Sequence, residues 1–273
     1  MPFARVNGVR LAYEIHGRAG APLVLVHGSW TSRRSWAAVI PRLAETFTVI
    51  AYDRRGHSES ERTPGQGRVT EDATDLGALI ESLGISPAWV AANSFGSSIT
   101  LRLAGMRPDL FRGIIAHEPP LFALLARDQA ALPLLDEASA RVALVIERIA
   151  AGDDKGAAEQ FVDTVALGPG SWAKLPPEVK EVFIENAPTF LDEGRDPEQL
   201  KFDTSSVENF PHPVLLTSGG KSPPTFSPVV AILAAAFPRS ETRQFPEAGH
   251  VPHMSHPDEW YESLIAFTGQ HDA

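Results

Sequence analysis

The feature that most restricts the fold is a regular alternation of short apolar runs with helical patterns. The runs lie at residues 23–26 (LVLV), 48–52, 89–92 and 113–116. A strand that is apolar throughout is typical of a sheet covered on both faces. The segment after the third run, residues 95–106, has a helical pattern. Strands that alternate with helices predict an α/β fold with a mostly parallel sheet flanked by helices.

Pro119 and Pro120 end this alternation. Residues 121–206 are helical by pattern and contain no good strand, whereas apolar runs resume at residues 214–217. We therefore predict a core formed by residues 1–120 and 207–273, with residues 121–206 inserted as a helical cap, or lid.

Net charge and composition disfavour several classes of binding partner and of chemistry. The net charge of −10 disfavours nucleic acid and anionic membranes, and the absence of cysteine excludes disulfides and thiolate chemistry. The first residues lack the apolar stretch of a signal peptide, and no run of 18 apolar residues occurs. We predict a cytoplasmic protein with no nucleic-acid or membrane partner; a homodimer is compatible with these features.

The octapeptide AANSFGSS, residues 91–98, follows a predicted strand and opens a predicted helix. Small residues two places before and after Ser94, namely Ala92 and Gly96, permit a sharp strand-to-helix turn that exposes the hydroxyl. Such a turn is strained, and the helix N-terminus behind it favours negative charge. Ser94 is therefore the candidate nucleophile; the alternative is a serine that only caps the helix.

Three further motifs occur with this turn in a fixed order: HGSW at residues 27–30, YDRRGHSES at residues 52–60, and EAGHVPHMSHP at residues 247–257. Together the four signatures resemble the α/β-hydrolase superfamily over essentially the whole chain. The resemblance implies an α/β-hydrolase fold with a mostly parallel eight-stranded sheet. It also implies a nucleophile (Ser94), a base (His250), an acid, and an oxyanion hole formed by the backbone N–H groups of Ser29 and Phe95.

Several other histidines compete with His250: two lie in the same segment, His253 and His256, and four lie elsewhere, namely His27, His57, His117 and His212. Only His250 follows both the last predicted strand and the turn signal AG, where the family places its base. His27 is expected to shape the oxyanion loop. The histidine-rich segment lacks an accompanying carboxylate cluster, so we predict no metal site.

The loop after residues 214–217 should carry the acid in this family, but it reads SGGKSPP and no Asp or Glu occurs between Asn209 and Ser240. Glu118 is the alternative, because it ends the strand that follows the nucleophile helix. Neighbouring strands are about 5 Å apart, and Glu is one methylene longer than Asp. The order Ser94, Glu118, His250 also keeps the family order. Asp53 and Asp75 are the rival acids.

One subgroup of the superfamily has its catalytic Glu after this same strand. HEPPL at residues 117–121 is similar to the HELP segment of the zearalenone lactone hydrolases. SHPD at residues 255–258 and NAPTF at residues 186–190 also resemble segments of those enzymes. The haloalkane dehalogenases share the Glu position but use an Asp nucleophile, which Ser94 cannot replace.

These features predict a serine esterase or lactonase that acts on a small apolar ester or lactone through an acyl-enzyme, without a cofactor. Aromatic and aliphatic side chains under the cap are candidate substrate contacts, although such residues are more often core. They are Trp30, Leu121, Phe122, Trp172, Phe183, Phe190, Phe226 and Val251.

Two other functions remain open from the sequence. ANSFGS, residues 92–97, resembles the nucleophile turn of ring-fission hydrolases that cleave carbon–carbon bonds, but those enzymes keep an Asp in the loop where this chain has Lys221 and Ser222. Alternatively, the loss of an acid there is typical of a decaying triad in a protein that binds a small apolar ligand without turnover.

Overall fold

The computed structural model describes residues 1–63 and 67–271, and its centre is a sheet of eight strands. The strands are β1 (Phe3–Val6), β2 (Val9–His16), β3 (Pro22–Val26), β4 (Thr48–Tyr52), β5 (Ala88–Asn93), β6 (Phe111–His117), β7 (Val214–Gly219) and β8 (Ser240–Phe245). Their spatial order is β1-β2-β4-β3-β5-β6-β7-β8.

The first two strands are antiparallel to their neighbours, and the other six run parallel. Asn7 and Gly8 join β1 to β2 with positive φ angles of 44° and 77°. Two consecutive positive φ angles are required by a tight hairpin turn whose twist matches that of its strands. The sheet and its flanking helices confirm the predicted α/β-hydrolase fold class.

Ten α-helices are assigned in the described residues. They are α1 (Ile40–Leu43), α2 (Val69–Ser82), α3 (Phe95–Met106), α4 (Leu132–Ala150), α5 (Asp154–Phe161), α6 (Ser171–Lys174), α7 (Pro177–Arg195), α8 (Phe226–Ala236), α9 (Pro252–Ser255) and α10 (Pro257–His271). Within residues 1–63 and 67–271, no helix is long and apolar enough to cross a membrane.

Alternate residues of β3 belong to two separate cores. Val24 and Val26 pack in the cluster on one face of the sheet, whereas Leu23 and Leu25 pack in the cluster on the other face. Side chains alternate between the faces of a strand, so an entirely apolar strand supplies both cores at once. The carboxyl ends of the parallel strands therefore belong to a sheet that is packed against apolar side chains on both faces.

The part of the chain between β6 and β7 contains helices and no strand in the described structure. A third apolar cluster joins these helices to the core, since Trp30 packs there with Val145, Ala157 and Phe183. The division into a core and a cap at residues 121–206 stays a prediction, although the helical content of that segment is observed.

Residues 35–45 have a helical period in the sequence, but the structure divides this segment in two. A 3₁₀ turn covers Arg33–Trp36, and the short helix α1 follows with Pro41 in its first turn. Proline lacks a backbone N–H and has a φ angle suited to the first turn of a helix, so it starts a new helix more readily than it continues an old one.

Candidate active site

Ser94 lies at the junction between β5 and α3, in a backbone conformation with φ 55° and ψ −125°. Its N–H donates a hydrogen bond of 2.8 Å to the carbonyl oxygen of His117 at the end of the neighbouring strand. A positive φ is costly for a residue with a Cβ, and such strain is typical of functional sites. The sequence therefore forms the predicted sharp turn, which holds Ser94 at the carboxyl edge of the sheet.

Gly96 is required in this turn because a Cβ there would lie 2.4 Å from the carbonyl oxygen of Val26 and 2.5 Å from that of His27. We expect Gly96→Ala to lower the free energy of unfolding by about 1–3 kcal/mol, since rigid backbone must move to admit the methyl group. Urea unfolding measures the change. Gly269→Ala is the control, because no atom lies within 4 Å of its added Cβ. Equal stability of the two variants would contradict the close approach at Gly96.

The loop at Gly28 and Ser29 approaches the nucleophile from β3. A Cβ on Gly28 would lie 3.0 Å from the Cβ of Ser94. The backbone N–H groups of Ser29 and Phe95 donate no hydrogen bond to another described residue. Phe95 is the first residue of α3, where N–H groups lack a partner within the helix. Both N–H groups thus lack a partner among the described residues, and their role as an oxyanion hole stays a prediction.

His250 and Glu118 meet although 132 residues separate them. The Nδ1 atom of His250 donates a hydrogen bond of 2.6 Å to Oε2 of Glu118. The side chain of Asn93 donates to the His250 carbonyl oxygen at 2.8 Å, and the ring of Phe226 stacks on the imidazole with centroids 4.7 Å apart. With its proton on Nδ1, the imidazole keeps Nε2 free as a proton acceptor.

Glu118 reaches this position because of the strand register. His117 pairs with Asn93 of β5 on one side and with Thr217 of β7 on the other. Glu118, the next residue, has φ 44° and is fully buried. Oε1 accepts a 2.7 Å hydrogen bond from the Gly219 N–H, and the Ser222 hydroxyl donates to Oε2 at 2.8 Å. The loop that lacks an acid thus supplies two donors to the carboxylate on the adjacent strand.

His117 lies next to Glu118 and His250, although the sequence offers it only as one of the rivals to His250. Its Nδ1 lies 2.9 Å from the Thr217 hydroxyl, and its Nε2 lies 3.4 Å from Oε2 of Glu118. That separation is long for a hydrogen bond, and His117 Nε2 has no hydrogen-bond partner in the described structure. Burial lowers the pKa of His117 despite the nearby carboxylate. The only sequence signal was the dipeptide His117-Glu118 at a strand end.

The surroundings of Glu118 keep it ionised. Burial alone would raise its pKa, but His117 and the hydrogen bond from His250 outweigh burial and hold the pKa well below 4.5. The folded protein therefore releases this proton more readily than the unfolded chain. The carboxylate contributes stability that is present above about pH 4.5 and is lost as the pH falls below that value.

We expect this contribution to appear in a comparison of thermal unfolding for the wild type and Glu118→Gln. The wild-type advantage in Tm should be largest near neutral pH and should shrink between about pH 4.5 and about pH 3. The uncharged Gln side chain does not titrate, so its variant supplies the reference. A Tm difference that stays constant over this range would contradict the lowered pKa of Glu118.

The two rival acids, Asp53 and Asp75, each pair with an arginine. Asp53 accepts a hydrogen bond of 2.8 Å from the Arg33 backbone N–H and pairs with the Arg33 guanidinium. Asp75 binds the guanidinium of Arg55 through both oxygens. Among the other histidines, His253 is buried against Trp36, with ring centroids 4.1 Å apart.

One group in the described residues has the donor atoms for a metal ion, namely His117, Glu118 and His250, with ligand atoms within 4.8 Å of one another. Both Glu118 oxygens already accept hydrogen bonds, and His250 Nδ1 donates one of them. This arrangement suits an orienting carboxylate, so the donor set does not fit a metal centre.

A cavity of about 690 Å³ opens beside His250. Residues 163–169 form one wall and residues 221–223 and 249–251 form the other, with Arg141 and Ser255 at the edge. Ser94 is not among these lining residues. The first wall overlaps a π-helical turn, Val162–Ala166, a rare conformation that is frequent at functional sites. The GPG triplet at residues 168–170 was the available sequence signal for an irregular wall.

The predicted substrate contacts are distributed over several environments. Val251 borders the cavity, and Phe226 stacks on His250 and contacts Phe122. Leu121 is buried in the core of the sheet. The other aromatic residues pack with one another beneath the cap: Trp30, Trp172, Phe183 and Phe190. Their role as substrate contacts stays a prediction.

Comparison with known proteins gives matches that cover most of the chain. A family model described as "Alpha/beta hydrolase family" matches residues 23–263. The chain is 28% identical over 281 residues to the dihydrolipoyllysine-residue acetyltransferase component of the acetoin cleaving system from Pseudomonas putida, covering 98% of this chain and 69% of that protein.

Two further relatives are hydrolases. A stretch of 107 residues is 40% identical to the soluble epoxide hydrolase of Corynebacterium sp. (strain C12). This stretch covers 39% of this chain and 37% of that protein. The crystal structure of the enol-lactonase from Burkholderia xenovorans superposes with a TM-score of 0.75 at 19% identity, covering 98% of this chain and 100% of the other. At that identity the likeness shows a shared fold.

Proposed function

The chain belongs to the alpha/beta hydrolase family, and on that premise we propose that it is a serine hydrolase that cleaves carboxylic esters or lactones of small apolar molecules. The family and its relatives support hydrolase activity. The observation that carries the proposal is the 2.6 Å hydrogen bond from His250 to the buried Glu118, with Ser94 on a strained turn at the same sheet edge.

The proposed reaction begins when the Ser94 oxygen attacks the carbonyl carbon of the substrate while His250 Nε2 takes the serine proton. The negative charge develops on the carbonyl oxygen and is stabilised by the N–H groups of Ser29 and Phe95. Each fixed donor of this kind contributes about 3 kcal/mol to transition-state stabilisation. Glu118 stays ionised and stabilises the imidazolium.

Collapse of this intermediate breaks the ester bond, and His250 gives its proton to the leaving alkoxide. Water then attacks the acyl group on Ser94, His250 takes a proton from that water, and the same proton returns to the serine oxygen when the carboxylic acid leaves. Protons and electrons balance without a cofactor. In a lactone the alcohol and the acid remain one molecule, so ring opening gives a single hydroxy acid.

The position of Glu118 after β6 also supports our proposal that the chain is similar to the lactonase subgroup with its acid on this strand. The cavity wall formed by residues 165–169 is mostly apolar, as binding of an uncharged acyl or alcohol group requires. His250 and Ser222 border the same cavity, so a substrate bound there lies next to the general base.

The test is hydrolysis of a small panel by the purified protein, with Ser94→Ala as the control. The panel contains aryl esters of rising chain length, one macrocyclic aryl lactone and one ring-fission diketone acid. We expect turnover of an ester or the lactone that Ser94→Ala abolishes. Cleavage of the diketone acid alone would identify a carbon–carbon hydrolase. No turnover by the folded protein, together with binding of an apolar ligand, would identify a non-catalytic protein.

A further inference from the structure

We propose that Arg54, held by Asp72 and by Glu193 of the cap helix α7, positions the Ser29 N–H of the oxyanion hole. This inference rests on the proposed function, because it concerns the same acyl transfer. Arg54, Asp72 and Glu193 are all buried, with side chains no more than 2% exposed. They are positioning residues, and none of them needs to touch the substrate.

The Ser29 N–H belongs to the peptide that joins Gly28 to Ser29. Its carbonyl oxygen accepts a 2.8 Å hydrogen bond from His27 Nδ1 and a 3.3 Å hydrogen bond from Arg54 Nη1. The C=O and the N–H of a trans peptide point in opposite directions. Donors that fix the Gly28 oxygen therefore fix the Ser29 N–H on the other side of the same plane. A cation on the carbonyl also polarises the peptide and makes its N–H a stronger donor.

The protonation state of His27 agrees with this arrangement. The Arg54 backbone N–H donates to His27 Nε2 at 2.9 Å, so Nε2 has no proton and Nδ1 carries it. Burial, followed by the charge of Arg54, holds the pKa of His27 well below its usual value of 6.5. The neutral imidazole and the Arg54 guanidinium thus donate together to the Gly28 oxygen.

Two carboxylates hold the guanidinium in place. Asp72 on α2 accepts from Arg54 Nε at 3.3 Å and from Nη2 at 2.9 Å. Glu193 accepts from Nη2 at 2.8 Å. Charge-assisted contacts of this kind define the geometry of a planar guanidinium more closely than neutral hydrogen bonds do. Because Glu193 comes from α7, the cap supplies one of the two carboxylates that hold Arg54.

The same cap helix contacts the oxyanion loop directly. The Ser29 hydroxyl donates to Glu193 Oε2 at 2.6 Å, and the Asn186 side chain donates to the Thr31 carbonyl oxygen at 2.9 Å. Trp30, between them, has a φ of 66°, a conformation that needs support from its surroundings. The cap therefore determines the shape of the loop in addition to covering the site.

The experiment measures affinity for a ligand that builds an oxyanion. An aryl trifluoromethyl ketone adds to the nucleophile and places a negative oxygen in the hole, whereas the corresponding secondary alcohol binds without one. The test variant is Arg54→Gln/Glu193→Gln, which removes one positive and one negative charge together. Ser29→Ala, which keeps the backbone N–H but loses the bond to Glu193, is the second variant. Thermal unfolding and circular dichroism establish that each protein is folded.

We expect the double variant to bind the trifluoromethyl ketone at least ~10-fold more weakly, and Ser29→Ala to change in the same direction. One lost donor costs roughly 10²–10³-fold in such a hole, and a misdirected donor costs less. Affinity for the alcohol should change less than about threefold, because it makes no oxyanion. The matched control is Arg55→Gln/Asp75→Asn, another buried ion pair in which both oxygens of the carboxylate bind the guanidinium. It should leave the ratio of the two affinities unchanged.

Three results would overturn the inference. If folded variants bind the ketone as tightly as the wild type, Arg54 does not position the donor. If the control pair lowers ketone affinity equally, the effect is general loss of packing. If the wild type forms no adduct at Ser94 by mass spectrometry, the proposed function fails and this inference fails with it. The first two results leave the proposed function intact.

Discussion

Replacement of Ser94 by alanine is expected to lower kcat for ester or lactone hydrolysis by about 10⁶-fold, because the covalent route through the acyl-enzyme is removed. The oxyanion donors and the imidazole would remain, so a small residual rate over water is expected. Substrate binding should change little, since the hydroxyl contributes mainly to the transition state. Steady-state kinetics on the best ester of the panel measures kcat and KM separately.

Ser98→Ala is the matched control for this change. Ser98 is a buried serine on the same helix, and its hydroxyl makes no hydrogen bond in the described structure. Its removal should leave kcat within about twofold of the wild type, since no contact of the site is lost. A Ser94→Ala protein that keeps more than a few per cent of wild-type kcat would show that another group is the nucleophile.

The sharp turn at Ser94 and the proximity of His250 to Glu118 were predictable from sequence, because they depend on local patterns and on the order of the motifs. Ala92 and Gly96 flank Ser94 at fixed spacing, and Glu118 directly ends an apolar strand. Parallel strands bring their carboxyl ends to one edge, so the order of motifs along the chain becomes proximity in space. The loop at residues 218–224 contains no acid, so the sequence predicts the acid on the neighbouring strand.

The pocket wall and the support of the oxyanion loop could not be predicted in this way. A helical pattern shows which face of a helix is apolar, but it does not show which other helix or loop that face meets. Trp30 is therefore a candidate substrate contact by composition, yet it packs against Phe161 with centroids 4.6 Å apart. The contact between Arg54 and Glu193 joins residues that are 139 positions apart, and no local sequence pattern predicts it.

Glu118→Gln is expected to lower kcat by about 10³–10⁴-fold with little loss of folded structure. The amide oxygen can still accept from Gly219, but its NH₂ group faces His250 Nδ1 in place of an acceptor. The imidazole then carries its proton on Nε2 and cannot accept the serine proton. Steady-state kinetics and circular dichroism measure the two effects. A kcat within tenfold of the wild type would exclude Glu118 as the triad acid.

Rescue by Ser222→Asp in the Glu118→Gln background makes this test specific to the carboxylate. The Ser222 hydroxyl lies 2.8 Å from Oε2 of Glu118, the oxygen that also binds His250. An Asp at position 222 therefore brings an acceptor to the imidazole from the loop after β7. We expect kcat of the double variant to be at least ~10-fold higher than kcat of Glu118→Gln, because an ionised acceptor restores the Nδ1–H tautomer. In the wild-type background the same Asp should lower stability, since two buried carboxylates in contact cannot both ionise freely. Ser222→Asn, which has nearly the same shape without the charge, is the control. Equal recovery by Asp and Asn would mean that shape at position 222, and not negative charge beside His250, limits the reaction.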